Sequence, residues 1–267
     1  MYSYATGSCG SPASPDHPGH RADPGYWVPM STPTRAVPAR ALVIGAHPDD
    51  ADFGAGGLIA LWASQGCEVT VVCVTDGDSG GFDASVPRES VPQMRREEQR
   101  AAAALLGAKE CVFLGRPDGA VEVDQALRRD LARVIRERRP EVVVTHAPER
   151  NYRFVFLYHP DHLATGAAAL AAVYPDARNE FAFPELDLEP WEVAQVWQFG
   201  GPADDTAVDV TDVFDAKVAA CSAHGSQTPM LSRSVEAELR EHLGRTATEH
   251  GLPEGRLAES YRVLDTA

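Results

Sequence analysis

The 267-residue chain has no Cys-x-x-Cys pair, no run of about eighteen apolar residues and no charged start followed by an apolar stretch. Its five cysteines, Cys9, Cys67, Cys73, Cys111 and Cys221, are scattered and odd in number. That excludes a tetracysteine zinc site and favours free thiols of a reducing cytosol over a disulfide framework. Without an apolar run there is no spanning helix, and without a leader no ordinary secretion, so the expected compartment is the cytoplasm. Basic residues are scarce: 24 Lys and Arg stand against 39 Asp and Glu, a formal net charge of −15. A field of that sign repels polyanions, so neither nucleic acid nor an acidic membrane surface is an expected partner. Gly-x-Gly-x-x-Gly is also missing after the first apolar run. Gly54, Gly56 and Gly57 come late and lack the phosphate-loop spacing, which leaves dinucleotide binding weakly supported.

What is present divides at residue 40. Residues 1–39 set Pro12, Pro15, Pro18, Pro24, Pro29, Pro33 and Pro38 among Ser, Gly and His without periodicity. Such a segment buries too little to order itself and is expected to be a disordered tail, with Met30 as a candidate alternative start. Beyond it, short apolar runs alternate with amphipathic stretches. Residues 41–46, 68–74, 111–114 and 142–145 read as strands buried in a sheet, too short for helices. Helices are expected over 57–65, 93–106 and 124–138, ended by Gly66, Gly107 and Pro140. Strand and helix alternating at these lengths means right-handed βαβ units. The fold expected is therefore α/β, a Rossmann-like, mostly parallel sheet with helices on both faces. Weaker strands near 193–199 and 207–210 and helices near 212–223 and 234–250 complete one domain over 40–267, with no linker or internal repeat.

Ligands of parallel sheets bind beyond the carboxyl ends of the strands. The first strand ends in Ala46-His47-Pro48-Asp49-Asp50, and the loop after the fourth leads to His159-Pro160-Asp161-His162 at a helix start. One His-Pro-Asp cluster reads equally as a turn with an Asp cap; two, both at strand-to-helix junctions of one sheet, can converge. His47, Asp50 and His162 then make a two-His, one-carboxylate set with open coordination positions, which suits zinc best and ferrous iron also. Asp49 is left as a base beside the metal and His159 as an acid. His146, at the tip of the fourth strand, is either a cleft residue or a hydrogen-bonded structural histidine.

These motifs, with Gly56-Gly57 after the first, resemble the LmbE-like or PIG-L family of zinc-dependent N-deacetylases. That family includes deacetylases of mycothiol and bacillithiol biosynthesis, mycothiol conjugate amidases, glycopeptide sugar deacetylases and N-acetylglucosaminyl-phosphatidylinositol deacetylase. Lesser matches are Thr75-Asp76-Gly77-Asp78, Arg95 and Glu98, Leu114-Gly115 with Asp118-Gly119, and Lys217 with His224, Ser226 and Gln227. The resemblance implies zinc on His47, Asp50 and His162, Asp49 as general base, and His159 protonating the leaving amine or stabilising the oxyanion with Asp161 as its orienting partner. It also implies that Arg95 and Asp118 hold sugar hydroxyls, whereas the residue alone reads Arg95 as a solvated or capping arginine. The substrate implied is a small N-acetylated amino sugar or its conjugate.

Two positions depart from the family pattern. Asp52 stands where Glu is commoner, a supporting carboxylate of shorter reach. Leu157 stands where the mycothiol branch has a tyrosine held to polarise the amide carbonyl, with Tyr158 next to His159, leaving zinc and His159 to carry the oxyanion. Alternatives are a conjugate amidase, a non-catalytic sugar or nucleotide binder, and a ferrous oxygenase. Residues 147–158, with Arg150, Asn151, Tyr152 and Phe154, form a long loop able to close over a glycoside with an apolar portion. A homo-oligomer stays open.

Overall fold

A computed structural model of the chain describes residues 37–81, 83, 85–152, 159–228 and 233–266. The expected tail lies outside these up to residue 36, as do Leu157 and Tyr158 of the long loop. The elements run β1 (Arg40–Gly45), α1 (Asp50–Ser64), β2 (Glu68–Thr75), α2 (Val91–Leu105), β3 (Glu110–Arg116), α3 (Gln125–Arg138), β4 (Val142–His146), α4 (Pro160–Ala171), β5 (Gln195–Phe199), β6 (Thr206–Asp209), α5 (Phe214–Ser222), α6 (Val235–Glu249) and β7 (Ala258–Asp265). They form one sheet in the order β3-β2-β1-β4-β5-β7-β6. The first five strands are parallel, whereas β7 pairs antiparallel with β5 and with β6.

Period-two alternation splits β1 between two cores. Val43 packs with α1 and α2 residues such as Ile59 and Ala102 on one face; Leu42 and Ile44 pack with Leu131 and Ile135 of α3 on the other. Leu42, Val43 and Ile44 have no exposed surface, and each such burial stabilises the fold by about 1.5–3 kcal/mol. Local signals agree with the packing: the side chain of Asp124 accepts the Leu127 N–H at 2.6 Å to start α3, and Pro140 follows its end.

The sheet is thus the Rossmann-like, mostly parallel one expected, with helices on both faces. Strand β7 was not expected, because Glu259 occupies one of its buried positions and breaks the apolar signal. Helix α1 begins seven residues earlier than the expected 57, directly on Asp50. Asp and Gly in its first two turns are weak helix formers, and tertiary contacts override them. Strand order reverses between β1 and β4, so the crevice beyond their carboxyl ends is the topological switch point at which α/β sheets bind ligands. Among the described residues no helix is long and apolar enough to cross a membrane.

Candidate active site

Both histidine motifs open onto that crevice. From the end of β1 the chain turns through Asp49, at φ 119° and ψ −29°, into α1. A non-glycine residue at that φ costs on the order of 1–3 kcal/mol and persists only where its surroundings hold it. From the other side, α4 brings its first turn to the tip of β4. Gly166 permits the approach, since a Cβ there would lie 2.3 Å from the carbonyl oxygen of His146.

Here His162 Nε2 lies 3.2 Å from Asp50 Oδ1 and 3.3 Å from His47 Nδ1, and His47 Nδ1 lies 3.4 Å from Asp50 Oδ2. Donors of a tetrahedral ion with bonds of about 2.0–2.1 Å stand ~3.3 Å apart, so the spacing of His162 Nε2 from its two neighbours and the two-imidazole, one-carboxylate chemistry fit a zinc-type ion. Among the described residues three groups have ligand atoms all within 4.8 Å of one another: Asp50 with His146 and His162, His47 with His159 and His162, and His47 with Asp118 and Asp161. His146 Nε2 sits at 3.1 Å on Oδ2, the oxygen that also lies 3.4 Å from His47 Nδ1, and it faces the Ala46 N–H at 3.3 Å. We therefore place it behind Asp50, where it orients the carboxylate. Its ring stacks on His162 with centroids 4.2 Å apart, and burial depresses its pKa to about 4, so it is neutral.

The remaining sequence candidates surround this trio. His47 turns Nε2 to two carboxylates, Asp118 Oδ1 at 3.0 Å and Asp161 Oδ2 at 3.1 Å. Burial opposes its charged form, yet the hydrogen bonds its ring donates to Asp118, Asp161 and Asp50 push its pKa up to about 12. Asp161 is fully buried and accepts the N–H groups of Gly119 and Val121 at 2.7 and 3.2 Å. Its carboxylate thus orients His47 and not His159, as the resemblance had implied; only its main-chain N–H reaches His159, donating to Nδ1 at 3.3 Å. That bond leaves Nε2 of neutral His159 carrying the hydrogen. Burial, then the nearby His47, hold the pKa of His159 below its ordinary value.

Asp49 lies beside the trio with its pKa raised to about 6 by burial, against the opposing charge of Arg95. Arg95 is neither solvated nor a cap: it is 3% exposed, and its Nη2 lies 3.0 Å from Asp49 Oδ2. Asp118, expected at a sugar hydroxyl, is engaged by His47.

The family model described as "PIG-L: GlcNAc-PI de-N-acetylase" matches residues 42–173. The probable N-acetyl-α-D-glucosaminyl L-malate deacetylase 2 of Bacillus cereus is 31% identical over 204 residues, covering 74% of this chain and 88% of that protein. The chain belongs to the PIG-L family. A solved structure of the N,N′-diacetylchitobiose deacetylase of Pyrococcus horikoshii superposes with a TM-score of 0.77 at 30% identity, covering 85% of this chain and 84% of that one. A relative with different chemistry, the 4-oxalmesaconate hydratase of Pseudomonas putida, is 32% identical over 228 residues, covering 78% of this chain and 83% of that protein.

Behind the site of this PIG-L chain lies a buried polar layer of which residue types disclosed only part. The Asp49 N–H donates to Gln99 Oε1 at 2.8 Å, Gln99 Nε2 donates to Asp52 Oδ2 at 2.8 Å, and His224 Nε2 lies 2.9 Å from the same oxygen. Asp52 thus has the supporting place its position promised, and His224 packs behind it. Gln99, on the inner face of α2, carried no signal beyond its place one residue after the expected Glu98. Glu98 itself accepts the N–H and hydroxyl of Ser226, each at 2.7 Å.

His224 sets a pH dependence. Burial lowers its pKa, but the hydrogen bond and charge of Asp52 outweigh this and hold it above 6.5. A raised folded pKa contributes stability that is complete below the unfolded value and lost as pH rises through the folded one. Between about pH 6 and pH 9 the urea midpoint of wild type should therefore fall relative to that of His224→Asn. Parallel midpoints for the two proteins would show that the pair carries no charge.

Proposed function

We propose that the domain expected over 40–267 is a zinc-dependent hydrolase that removes the N-acetyl group of an N-acetylglucosamine-type amino sugar or its conjugate; residues 37–39, expected in the tail, join it, Val37 packing on the core and the Ala39 N–H donating to Glu141 Oε2 at 2.9 Å. The observation that carries this reading is that His162 Nε2 lies within 3.3 Å of both His47 Nδ1 and the Asp50 carboxylate, whose other oxygen is 3.4 Å from His47 Nδ1, with Asp49 alongside. A zinc ion on those three residues supplies Lewis acidity, bringing the pKa of its water from about 15.7 toward ~7 and polarising a carbonyl.

The chain's own groups supply the proton traffic. Asp49 takes a proton from the attacking water and returns it to the nitrogen as the C–N bond breaks, so amide and water become acetate and a free amine. His159 presents its Nε2–H as a neutral donor to the oxygen on which negative charge develops, a role its tautomer suits better than that of an imidazolium acid. Asp118 and Asp161, both on Nε2, fix the orientation of the His47 ring, with Nδ1 left facing Asp50 and His162. The four described cysteines, Cys67, Cys73, Cys111 and Cys221, are unpaired, which fits a cytoplasmic enzyme.

The test is acetate release by zinc-loaded protein from N,N′-diacetylchitobiose and from N-acetylglucosamine linked to malate and to inositol. Release from at least one, abolished by a chelator and restored by zinc, is the expected result. Similarity to the hydratase supports a second reading, addition of water to a carbon–carbon double bond of an unsaturated acid. Loss of ultraviolet absorbance from 4-oxalmesaconate without acetate release from any amide would establish that reading instead.

A further inference from the structure

We infer that Gln99 is a positioning residue for Asp49: its carboxamide closes a helix capping box that Asp52 is too short to close by itself. This rests on the reading of Asp49 as the base. Helix α1 starts from Asp49, the residue held at φ 119°. In a capping box the side chain of the starting residue accepts an N–H of the first turn, and a Glu or Gln three residues on accepts the main-chain N–H of the starting residue. Neither half is made in that form here. The Asp49 carboxylate caps no first-turn N–H, and the N–H groups of Asp52 and Phe53 go instead to the Asp49 carbonyl, each at 3.0 Å. The carboxylate is thereby left free of the helix, beside the metal trio.

The second half is rebuilt through α2. Asp52 stands three residues after the start, but it is one methylene shorter than the Glu such a box uses. Gln99 spans the difference: its Oε1 accepts the Asp49 N–H at 2.8 Å, and its Nε2 donates to Asp52 Oδ2 at 2.8 Å. These two partners fix which way the amide points, since the N–H must meet its oxygen and the carboxylate its nitrogen. His224 Nε2, 2.9 Å from the same Asp52 oxygen, holds the carboxylate from behind. Gln99, Asp52 and His224 have no exposed surface, so bulk water does not stand in for the amide. A buried N–H that loses its acceptor must find another or move. At Asp49, whose positive φ persists only while its surroundings hold it, the turn is what gives, and the carboxylate travels with it.

A base held slightly out of place loses rate without losing substrate affinity, because misplacement of about 1 Å costs on the order of 10²-fold in the chemical step. On N,N′-diacetylchitobiose, zinc-loaded Gln99→Ala should lose about 100-fold in kcat with KM within about threefold of wild type. Adding Asp52→Glu to Gln99→Ala extends the carboxylate into the space the amide leaves, where it can accept the Asp49 N–H directly, and should recover about tenfold of that loss. Gln99→Met keeps the volume but offers no acceptor, so it should be as slow as Gln99→Ala; a residue that only fills space would be replaced by Met without loss. A kcat of Gln99→Met within about threefold of wild type, a rise in KM at unchanged kcat, or no recovery on adding Asp52→Glu would overturn the inference. If Gln99→Ala does not fold, folding regained in the double variant supports it, and a double variant that stays unfolded overturns it. Should wild type release no acetate from any amide, the proposed function falls, and crystal structures decide this inference separately. Asp49 leaving its positive φ in Gln99→Ala and regaining it in the double variant supports the capping box, and an Asp49 unmoved by Gln99→Ala overturns it.

Discussion

Asp49→Asn should lower kcat for acetate release by roughly 10³-fold while the protein keeps one equivalent of zinc. Asn has the shape of Asp, still offers an oxygen to Arg95 Nη2, and tolerates positive φ better than most residues, so the turn before α1 should survive the change. What it cannot do is take a proton. General acid–base groups typically contribute 10²- to 10⁴-fold, and Asp49 would act twice, first on water and then on the departing nitrogen. Asp50→Asn provides the contrast: its Oδ1 stands 3.2 Å from His162 Nε2, among the proposed ligand atoms, so this change should lose zinc. Metal content by elemental analysis and kcat by acetate assay separate the two. Asp49→Asn within about tenfold of wild type would remove Asp49 from the base role; loss of zinc from it would make it a ligand.

Lys217→Met should destabilise the protein by about 3–5 kcal/mol in urea unfolding, although it lies outside the proposed metal trio. Lys217 has no exposed surface, and its Nζ donates to the carbonyls of Asp52 and Phe53 at 2.9 and 2.7 Å and to Glu259 Oε1 at 2.7 Å. Glu259 accepts in turn from the N–H groups of Gly57 and Leu58, at 2.7 and 2.8 Å, and from Tyr261 Oη at 2.7 Å. In a regular helix the Gly57 N–H bonds the Phe53 carbonyl; here each is held by one member of the ion pair. Removing the lysine leaves a carboxylate buried without its cation, which is the costly way to break such a pair. Adding Glu259→Gln should cost less than the sum of the single losses, since the charge left stranded is then gone. Strict additivity would show that the two charges do not interact. Because Lys217 grips the first turn of α1, which carries Asp50, the variant should also bind zinc more weakly.

Much of this protein is written in short stretches of sequence. The apolar runs at β1, β2 and β4 are continuous because both faces of a central parallel strand are covered, so they announced themselves without any knowledge of partners. His47, Asp50 and His162 were visible for a related reason: a parallel sheet presents ligand-binding groups beyond the carboxyl ends of its strands, where the first motif ends β1 and the second opens the helix that follows β4. The strand β7 was hidden because a buried carboxylate at Glu259 mimics a polar surface position, and its partner Lys217 lies 42 residues away. The start of α1 was hidden because Lys217 and Glu259, distant in the chain, hold the carbonyls and N–H groups of its first two turns.

Residue types and spacing thus determined the sheet, the two clusters and the acid–base chemistry available, because these follow from local burial and from the ligands a divalent ion prefers. Only the tertiary structure decided what each group touches. Asp161 and Asp118 turn to His47, His146 stands behind Asp50, and Arg95 is buried against Asp49. The physical reason is that a hydrogen bond is specified by a few tenths of an ångström between elements far apart in the chain, and no periodicity within a single segment encodes that distance.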